Sequence, residues 1–471
     1  MLLRRLSLLT CVAGLVLSTG IGATRQRGPS TDLSADQLFQ TDKIWTVHLT
    51  FTKANWDALT PAPPTAPPAP GPGFVGPEGK RNGLSAQRGL DFTYVHGSFD
   101  LDTHHFADVA VRFKGNGSYI PSQKNGKPPF KIDLNKFVKG QKLAGVSTLN
   151  LHNNLSDASM MNEVLAYRLY RDAGVPAART AYARVYVTAP GVYDNSYFGL
   201  YSLVEDVDAT FTESRFGVPG GTLLKPVTPQ LFEDKGRNWA AYNQMYDPKT
   251  DLTDAVKQRL FDVCELVTRA DAATFTAKIG DFIDLPAFAK YMAVVAWLAN
   301  PDSVLVQGQN YYIYLHPKTQ KIMFLPWDLD HSFGQFVPFV PTEFQQQLSI
   351  MRPWNLVPEG MGGPAMHNRF LERMFALEAF KTPYLAALAS LNTSLGDPMR
   401  IGKQMDDLGA VLAPVVADEI APLRVSTFKQ VFGEETFKRP INQNVTVVPV
   451  KVFVRIRQAA VSEQLKALGV K

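Results

Sequence analysis

The sequence has little cysteine, and this scarcity limits how the chain can be cross-linked or hold a metal. Only Cys11 and Cys264 occur among its 471 residues. Cys11 lies in a stretch that we expect to be removed, and one remaining thiol forms neither an internal disulfide nor a multi-cysteine metal site. Apolar neighbours such as Val263 and Leu266 indicate that Cys264 is a buried, inert thiol.

Dense positive charge is also missing, which removes one large class of functions. The formal net charge is +5 and no lysine- or arginine-dense segment occurs, so we expect no binding to nucleic acid. The Gly-x-Ser-x-Gly motif of serine hydrolases and the His-Glu-x-x-His motif of metalloproteases are absent as well. These absences exclude the hydrolases that are easiest to recognise from sequence.

A long hydrophobic run occurs only at the N-terminus, where its features are those of a signal peptide. Arg4 and Arg5 precede an apolar stretch at 6–17, and small residues up to Ala23 offer a cleavage site. A short membrane anchor is the alternative, but the run is shorter than the ~20 residues that span a bilayer. We therefore expect residues 1–23 to be removed and the protein to be secreted, periplasmic or in the cell envelope, without a stable membrane span.

Composition and pattern divide the remaining chain into two parts. Hydrophobic residues make up 45% and charged residues 19% of the chain, which suffices for a packed core. Residues 24–41 are polar and predict a flexible leader. We expect a β-rich N-lobe at 42–208, interrupted by a proline-rich insertion at 61–79. A mainly helical C-lobe should follow at 209–471, with a cleft between the two lobes.

Hydrophobic periodicity predicts an α+β fold. Alternation between 91 and 140 indicates strands, and a helix capped by Ser156 or Asp157 should run to about Asp172. A β-hairpin is expected where two strand-like runs flank the turn at 316–320. Further helices are predicted at 252–269, 284–299, 366–391, 398–420 and 449–469.

A glycine-containing run follows the strand that ends near Phe113. Two glycines at a spacing of two allow a tight turn whose N–H groups can approach phosphate oxygens. An ordinary hairpin turn is the alternative interpretation of the same spacing. The residues of this candidate phosphate-binding turn are Lys114, Gly115, Asn116, Gly117 and Ser118.

Three further positions carry charges suited to a nucleotide. Lys131 alternates with apolar residues on a strand and so points away from the core face, where it could bind phosphate. Glu163, on the helix that follows, could hold this lysine in place. Glu205 or Asp206, at the end of an apolar strand, could bind the ribose of a nucleotide. The alternatives are a solvated lysine, an exposed helix glutamate and an acidic turn.

The strongest candidates are acidic residues of the second half. Asp302 follows a helix, Asn310 opens the hairpin, and Asp328 and Asp330 end its second strand, where they would share a face. Kinase folds place a catalytic aspartate, a metal-binding asparagine and a metal-binding aspartate in this order. Magnesium needs hard oxygen ligands, and a nucleophilic hydroxyl needs a carboxylate within hydrogen-bond reach. The alternative is that Asp302 caps a helix or turn and that Asp330 is structural.

Eight segments, taken in their order along the chain, carry the motifs of one known family. They are 113–119, 154–157, 162–163, 199–205, 223–225, 300–303, 310–312 and 326–330. The Asn-x-Asp-Ser and Trp-Asp-x-Asp segments are the most specific of them. Over residues 90–335 the chain resembles the CotH (spore coat protein H) kinase family.

The resemblance implies a two-lobed, atypical protein-kinase-like fold that binds ATP with Mg²⁺ or Mn²⁺ and phosphorylates serine on an exported protein. It implies that Asp302 is the catalytic aspartate and Asp328 the principal metal ligand. Lys131 would bind phosphate with Glu163 as its partner, although Lys114 is also placed to take that role. The other implied ligands are the turn at 113–119 over the phosphates, Glu205 at the adenine hinge, Lys225 at the nucleotide, and Asn310 and Asp330 at the metal.

Other functions remain compatible with the same residues. A kinase-like surface or coat protein could use this fold for binding without catalysis, and a related enzyme could use ATP for adenylylation or glutamylation. A metal-dependent hydrolase built on Asp328 and Asp330 would need further ligands that the sequence does not place. Retention of Lys131, Glu163 and Asp302 together with both of these acids favours catalysis over a binding scaffold.

Overall fold

The computed structural model shows an α+β protein, as the periodicity predicts. It describes residues 33–62, 90–157, 159–336, 339–356, 367–419, 428, 431–433, 435–439 and 442–470. The predicted signal peptide at 1–23 lies outside the described residues, as does the predicted insertion at 61–79 apart from its first two residues. Within the described part of the chain, no helix has the length and apolar character to cross a membrane.

The second half of the predicted flexible leader contains a short helix, α1 (Ala35–Leu38). Ser34 and Gln37 form a capping box at its start, since each side chain accepts a hydrogen bond from the other's backbone N–H. Leu38 is fully buried, and its carbonyl oxygen accepts a hydrogen bond from the Trp45 indole at 2.8 Å. The prediction of a flexible leader is therefore wrong for this segment, because a capped turn with one apolar anchor packs on the sheet.

Seven strands of the N-terminal half close into a barrel in the order β1-β2-β3-β4-β5-β7-β6. Closure comes from β1, which pairs antiparallel with β2 and parallel with β6. Alternate apolar side chains, such as Val47 and Leu49, fill the barrel interior. The strands are β1 (Ile44–Thr50), β2 (Val95–Leu101), β3 (His104–Phe113), β4 (Phe130–Asp133), β5 (Thr148–His152), β6 (Thr180–Ala189) and β7 (Tyr193–Glu205).

Helix α4 (Asn162–Asp172) follows β5 and starts later than the sequence indicates. Asp157 does not cap it directly. Its carboxylate accepts hydrogen bonds from the backbone N–H groups of Ser159, at 2.8 Å, and Asn162, at 2.7 Å. These bonds hold a turn before the helix, so that Glu163 enters the first helical turn facing the interior. Besides α1, the described helices before α4 are α2 (Lys53–Leu59) and α3 (Asn116–Asn125).

The second half is mainly helical, with its own large hydrophobic core. The predicted helices occur, except that the segment 366–391 forms two helices, because buried Leu377 has an extended backbone between them. The helices are α5 (Ala209–Phe216), α6 (Asn243–Tyr246), α7 (Asp254–Arg269), α8 (Ala272–Phe282), α9 (Leu285–Leu298), α10 (Thr342–Gln346), α11 (Arg369–Phe375), α12 (Glu378–Thr393), α13 (Pro398–Val416) and α14 (Val450–Ala467).

The predicted hairpin is present as β9 (Tyr311–Leu315) and β10 (Ile322–Pro326), and β8 (Thr222–Leu224) joins it in a three-stranded sheet. A separate pair, β11 (Phe437–Arg439) and β12 (Asn442–Val447), was not predicted. At the open end of the hairpin, the Trp327 N–H donates to the Asn310 carbonyl at 3.1 Å. The hairpin therefore brings Asn310 beside the residues that follow Pro326.

A buried arginine on the last helix fixes the loop that carries Asp302. Arg457 on α14 is fully buried. Its guanidinium donates to the carbonyl oxygens of Ala296, at 2.7 Å, and Trp297, at 3.3 Å, at the end of α9. It also donates to Leu348 at 2.7 Å. A cation at a helix C-terminus satisfies carbonyls that have no helical partner, so α14 anchors the point where the Asp302 loop begins.

A buried ion pair ties the C-terminal half to the barrel. Lys127 and Glu419 are 2.8 Å apart with almost no solvent exposure. Glu419 also accepts the Leu200 N–H at 3.0 Å. Gly199 has φ +114°, and a Cβ there would overlap the Glu419 carboxylate and the Lys127 side chain. The close approach of Glu419 to β7 therefore requires glycine at 199.

We expect Gly199→Ala to lower the free energy of unfolding by several kcal/mol, because it adds a clash at a buried charge to backbone strain. Gly140→Ala is the matched control, since Gly140 also has positive φ but open space around its Cα. The control should cost only about 1 kcal/mol. Urea unfolding of both variants measures the difference, and equal losses would contradict the contact with Glu419.

Candidate active site

One row of the barrel brings a lysine and a histidine together at its end. The register aligns Phe113 of β3 with Phe130 of β4, and Phe130 with Leu151 of β5. The residues that follow Phe113 and Leu151, namely Lys114 and His152, therefore lie in neighbouring positions. The Lys114 Nζ contacts His152 Nε2 in a short hydrogen bond.

The other ring nitrogen of His152 reaches the helix glutamate. His152 Nδ1 lies 2.8 Å from one carboxylate oxygen of Glu163 and 2.9 Å from the other. Glu163 is 2% exposed, so solvent water has almost no access to its carboxylate. Lys114, His152 and Glu163 thus form a continuous hydrogen-bonded row from β3 through β5 to α4.

Asp328 approaches this row from the hairpin side. Its backbone is left-handed, with φ 55°, and its N–H donates to the Tyr167 hydroxyl at 3.1 Å. One ligand atom each from His152, Glu163 and Asp328 lies within 4.8 Å of the others. Burial acts to raise the pKa of Asp328, but neighbouring basic side chains, chiefly His152 and Lys114, lower it overall. The Asp328 carboxylate is therefore held ionised.

Two partly buried lysines flank the indole of Trp327. The Lys114 Nζ lies 5.0 Å and the Lys225 Nζ lies 5.6 Å from its ring centroid. Burial lowers the pKa of Lys114 to about 7, against the raising effect of Asp328. Burial and neighbouring Lys249 lower the pKa of Lys225 to about 8. Two desolvated ammonium groups with depressed pKa values favour an anionic ligand between them.

Asp302 lies on a loop after α9, and amide groups hold both of its carboxylate oxygens. Gln309 Nε2 donates to Oδ1 at 2.7 Å, and Asn310 Nδ2 donates to Oδ2 at 2.9 Å. Burial raises the pKa of Asp302, and His331 together with the amide bonds acts in the opposite direction. The side-chain amide nitrogen of Asn310 thus orients Asp302. The side-chain amide oxygen of Asn310 is then the atom that could bind a metal.

Asp330 lies past a bend and does not continue the strand. β10 ends at Pro326 and Asp328 is left-handed, so the expectation that Asp328 and Asp330 share the face of a straight strand is wrong. Burial and the charges of Asp328, Glu163 and Asp302 raise the pKa of Asp330 to about 7, although His331 opposes the rise. The concentration of carboxylates at this point explains the shift, because like charges oppose ionisation.

Lys131 has a different partner from the one that the sequence indicates. Its Nζ donates to Asp206 Oδ2 at 2.8 Å, and Asn150 Nδ2 donates to the other oxygen at 3.0 Å. Burial acts to raise the pKa of Asp206, but Lys131 and Asn150 lower it to about 2. The predicted Lys131–Glu163 pair is therefore wrong, because Lys131 lies two rows away from Lys114, in register with Asn150.

The carboxylate of Glu205 is occupied by protein groups. Arg179 donates to it at 2.5 and 3.0 Å, and Arg215 donates to it at 2.8 Å. The side chain is 2% exposed. A role for this carboxylate in binding ribose is therefore not supported.

The glycine run forms the start of a helix and not a hairpin turn. Gly115 has φ 69° and is the N-cap of α3, with Asn116, Gly117 and Ser118 in the first turn. Ser118 Oγ donates to the Gly115 carbonyl at 3.2 Å. The side chain of Asn116 lies outside the described part of the structure. Exposed N–H groups at the start of a helix can donate to phosphate oxygens. The run is therefore still suited to phosphate binding, as a helix start and not as a turn.

Sequence reasoning missed two residues of the site, His152 and Gln309. His152 carries a weak signal, since Asn150 and His152 are polar residues in the fully buried strand β5. Polar side chains in such a strand need partners and therefore mark a polar site. Gln309 carries no comparable signal, because its neighbour Asn310 shows the same polarity and only the loop geometry tells them apart.

A partly buried lysine, a helix glutamate and a loop carboxylate thus come together where the β-rich part meets the helical part. The chain matches the family model described as CotH kinase protein over residues 111–442. It therefore belongs to the CotH kinase protein family, which confirms the resemblance seen in the sequence motifs.

Two further comparisons add little. A search of curated proteins finds no match. Among solved structures, the chain is similar to the HipA–HipB toxin–antitoxin complex with its operator DNA from Shewanella oneidensis MR-1, at 12% identity and a TM-score of 0.30. That similarity covers 68% of this chain and 58% of that chain, so it spans less than two thirds of the other protein.

Proposed function

We propose that the chain is an exported protein kinase that transfers the γ-phosphoryl group of ATP, with Mg²⁺ or Mn²⁺, to a hydroxyl of an exported protein. The observation that carries this proposal is the convergence of Lys114, Glu163 and Asp328. These residues come from the barrel, from α4 and from the hairpin, and His152 lies in contact with two of them. Cations and carboxylates from separate elements enclose a single point, as phosphoryl transfer requires.

The proposed fold has two kinase-like lobes with the nucleotide between them. The barrel supplies Lys114 and the start of α3, and the helical half supplies Lys225 and Asp328. Phosphate groups would meet both lysines beside Trp327, while the N–H groups at the start of α3 would receive a phosphate oxygen. Lys114, and not Lys131, is then the principal phosphate-binding lysine.

The donor set fits a divalent cation. Asp328 is ionised, and carboxylate oxygens of Glu163 and Asp330 lie nearby. A bound Mg²⁺ or Mn²⁺ would neutralise phosphate charge and share oxygen ligands between Asp328 and the phosphates. The side-chain amide oxygen of Asn310 and the carboxylate of Asp330 are the proposed additional metal ligands.

Asp302 is proposed to orient the attacking hydroxyl. Gln309 and Asn310 hold its carboxylate from one side. The burial of Asp302 keeps its pKa raised, which makes it a better proton acceptor than an exposed aspartate. A serine hydroxyl that reached Asp302 would donate its proton to this carboxylate during transfer.

Export is proposed from the N-terminal sequence together with the family. The basic residues, apolar run and small residues at 1–23 have the order of a signal peptide. An exported kinase would act on proteins that follow the same route, and serine is the proposed acceptor. The substrate protein would be secreted, periplasmic or part of the cell envelope.

The decisive experiment separates phosphoryl transfer from its alternatives. Purified protein is incubated with γ-labelled or α-labelled ATP, Mg²⁺ or Mn²⁺, and a fraction of exported proteins. We expect label from γ-labelled ATP on protein serine and none from α-labelled ATP. Label from α-labelled ATP alone would indicate adenylylation, and nucleotide binding without any label would indicate a binding protein.

Nucleotide affinity should fall as pH rises above about 7. The pKa of Lys114 lies near 7 in the free protein, below the ordinary lysine value of 10.5. Phosphate binding favours the ammonium form, so above pH 7 binding must take up a proton, and affinity can weaken by up to about tenfold per pH unit. Below pH 7 the ammonium is already present and this dependence disappears.

Titration calorimetry in buffers of different ionisation enthalpy measures the proton uptake directly. Lys114→Arg is the informative variant, because arginine stays protonated throughout this range. Its affinity should vary less between pH 7 and pH 9 than that of the wild-type protein. Proton uptake that is unchanged in Lys114→Arg would assign the titration to another group.

A further inference from the structure

We propose that His152 is the positioning residue that links Lys114 to Glu163, so that the lysine–glutamate connection in this protein runs through an imidazole. This inference rests on the proposed function, because it concerns how Lys114 is presented to a nucleotide. The histidine is the one member of the row that lies at the end of β5. It touches both other members, Lys114 through Nε2 and Glu163 through Nδ1.

The donors and acceptors of the row determine its hydrogen-bond direction. An ionised carboxylate only accepts, so His152 Nδ1 must carry the proton that is donated to Glu163. The ammonium group of Lys114 only donates, so Nε2 must be the unprotonated nitrogen that accepts from it. Hydrogen bonds are therefore donated in one direction along the whole row, from Lys114 to His152 and from His152 to Glu163. The imidazole connects Glu163 to a lysine that it does not contact directly.

The surroundings of Lys114 show why the link matters. Among the described residues, no carboxylate forms an ion pair with its ammonium group, whose hydrogen-bond acceptor is His152. Glu163 acts on Lys114 only through the electrostatic field and through the imidazole. Without His152, the position of Lys114 would depend on the Trp327 ring, which gives no directional bond.

The packing of His152 is consistent with a fixed orientation. Its ring lies edge-on to Trp327, with ring centroids 5.8 Å apart and planes at 87°. The side chain is 11% exposed. A ring held by two hydrogen bonds and one aromatic contact has a single orientation, and this orientation directs Nε2 toward Lys114.

A double-mutant cycle tests the link. His152→Leu removes both hydrogen bonds at similar volume, and Lys114→Met removes the ammonium at similar length. We expect His152→Leu to weaken Mg²⁺–ATP binding by about tenfold, the loss of one good hydrogen bond to a charged group. In the Lys114→Met background the same substitution should have almost no effect, because it acts through Lys114.

Two further variants separate positioning from simple destabilisation. His152→Gln keeps one acceptor and one donor and should restore binding to within about threefold of the wild-type affinity. His48→Leu is the control, because His48 is another barrel histidine with a hydrogen bond, to Thr188 at 2.8 Å. It should leave nucleotide affinity unchanged whatever it does to the melting temperature.

The outcomes distinguish failure of the link from failure of the function. Equal effects of His152→Leu with and without Lys114 would overturn the link while leaving nucleotide binding in place. A wild-type protein that binds no nucleotide would end the proposed function, and the role of His152 in presenting Lys114 to a nucleotide would fall with it.

A spectroscopic measurement tests the row without nucleotide. Proton–nitrogen spectra of ¹⁵N-histidine protein, assigned with His152→Gln, should show a protonated Nδ1 and an acceptor Nε2. The Nε2 signal should shift in Lys114→Met, because its donor is lost. An Nε2 signal that is the same in both proteins would overturn the proposed hydrogen bond.

Discussion

Asp302→Asn is expected to lower the rate of phosphoryl transfer by about 10³-fold and to leave nucleotide binding within about threefold of the wild-type value. The substitution preserves shape and removes the charge that accepts the proton of the attacking hydroxyl. Asp302 lies on the loop after α9, held by Gln309 and Asn310. Gln309 is not proposed to hold phosphate or metal, and the Asn310 nitrogen that contacts Asp302 is not its proposed metal-binding atom, so the loss should appear in the turnover number and not in affinity.

Label transfer at saturating Mg²⁺–ATP measures this effect, and calorimetry measures the affinity. Asp284→Asn is the matched control, since Asp284 is the N-cap of α9 and asparagine is an equally good cap. Thermal unfolding of both variants detects any change of fold caused by the new amide beside Gln309. A variant at position 302 that turns over at the wild-type rate would remove Asp302 from the chemistry.

Asp328→Asn is expected to remove the metal dependence of nucleotide binding. Asp328 is the ionised carboxylate nearest to the His152–Glu163 pair, and an amide neither carries its charge nor binds Mg²⁺ comparably. Loss of about 3 kcal/mol of metal-assisted binding corresponds to a decrease in affinity of about 100-fold in the presence of Mg²⁺. Without metal, the variant should bind ATP at least as well as the wild-type protein, because one negative charge near the phosphates is gone.

Calorimetric titrations with Mg²⁺, and with a chelator in its place, provide this comparison. The sign difference between the two conditions is the specific result, since general unfolding would weaken binding in both. Asp330→Asn should have a smaller effect, because the pKa of Asp330 is near 7 and its charge is only partly present at neutral pH. A metal dependence in Asp328→Asn equal to that of the wild-type protein would assign the metal to other ligands.

Local pattern and motif order predicted much of the fold and the acidic half of the site. Most of the ends of helices α7, α9, α13 and α14 lie within two or three residues of the positions that the apolar periodicity predicts. The hairpin was visible because two apolar runs flank a turn at 316–320. Asp302, Asn310 and Asp328 could be proposed from the sequence because each lies at a fixed place relative to these elements, which is a property of nearby residues.

Partners across the barrel could not be predicted in this way. Lys131 and Asp206 are 75 residues apart in sequence and meet because β5 lies between β4 and β7. A shift of the register by one residue would turn Lys131 to the other face of the sheet. The same register places Lys114 in the row of His152, so the choice between the two lysines depended on strand pairing and not on the motif that contains them.

The amino-acid sequence by itself determined the family, the α+β composition, and the order in which the acidic residues occur, because these properties follow from short-range pattern. Tertiary structure alone decided that Lys114 meets His152, that Glu205 is taken by two arginines, and that the glycine run starts a helix. The physical reason is that each of these contacts joins segments whose mutual position is set by barrel closure and burial. Coulombic and hydrogen-bond energies of buried groups depend steeply on such positions, and the sequence does not contain them explicitly.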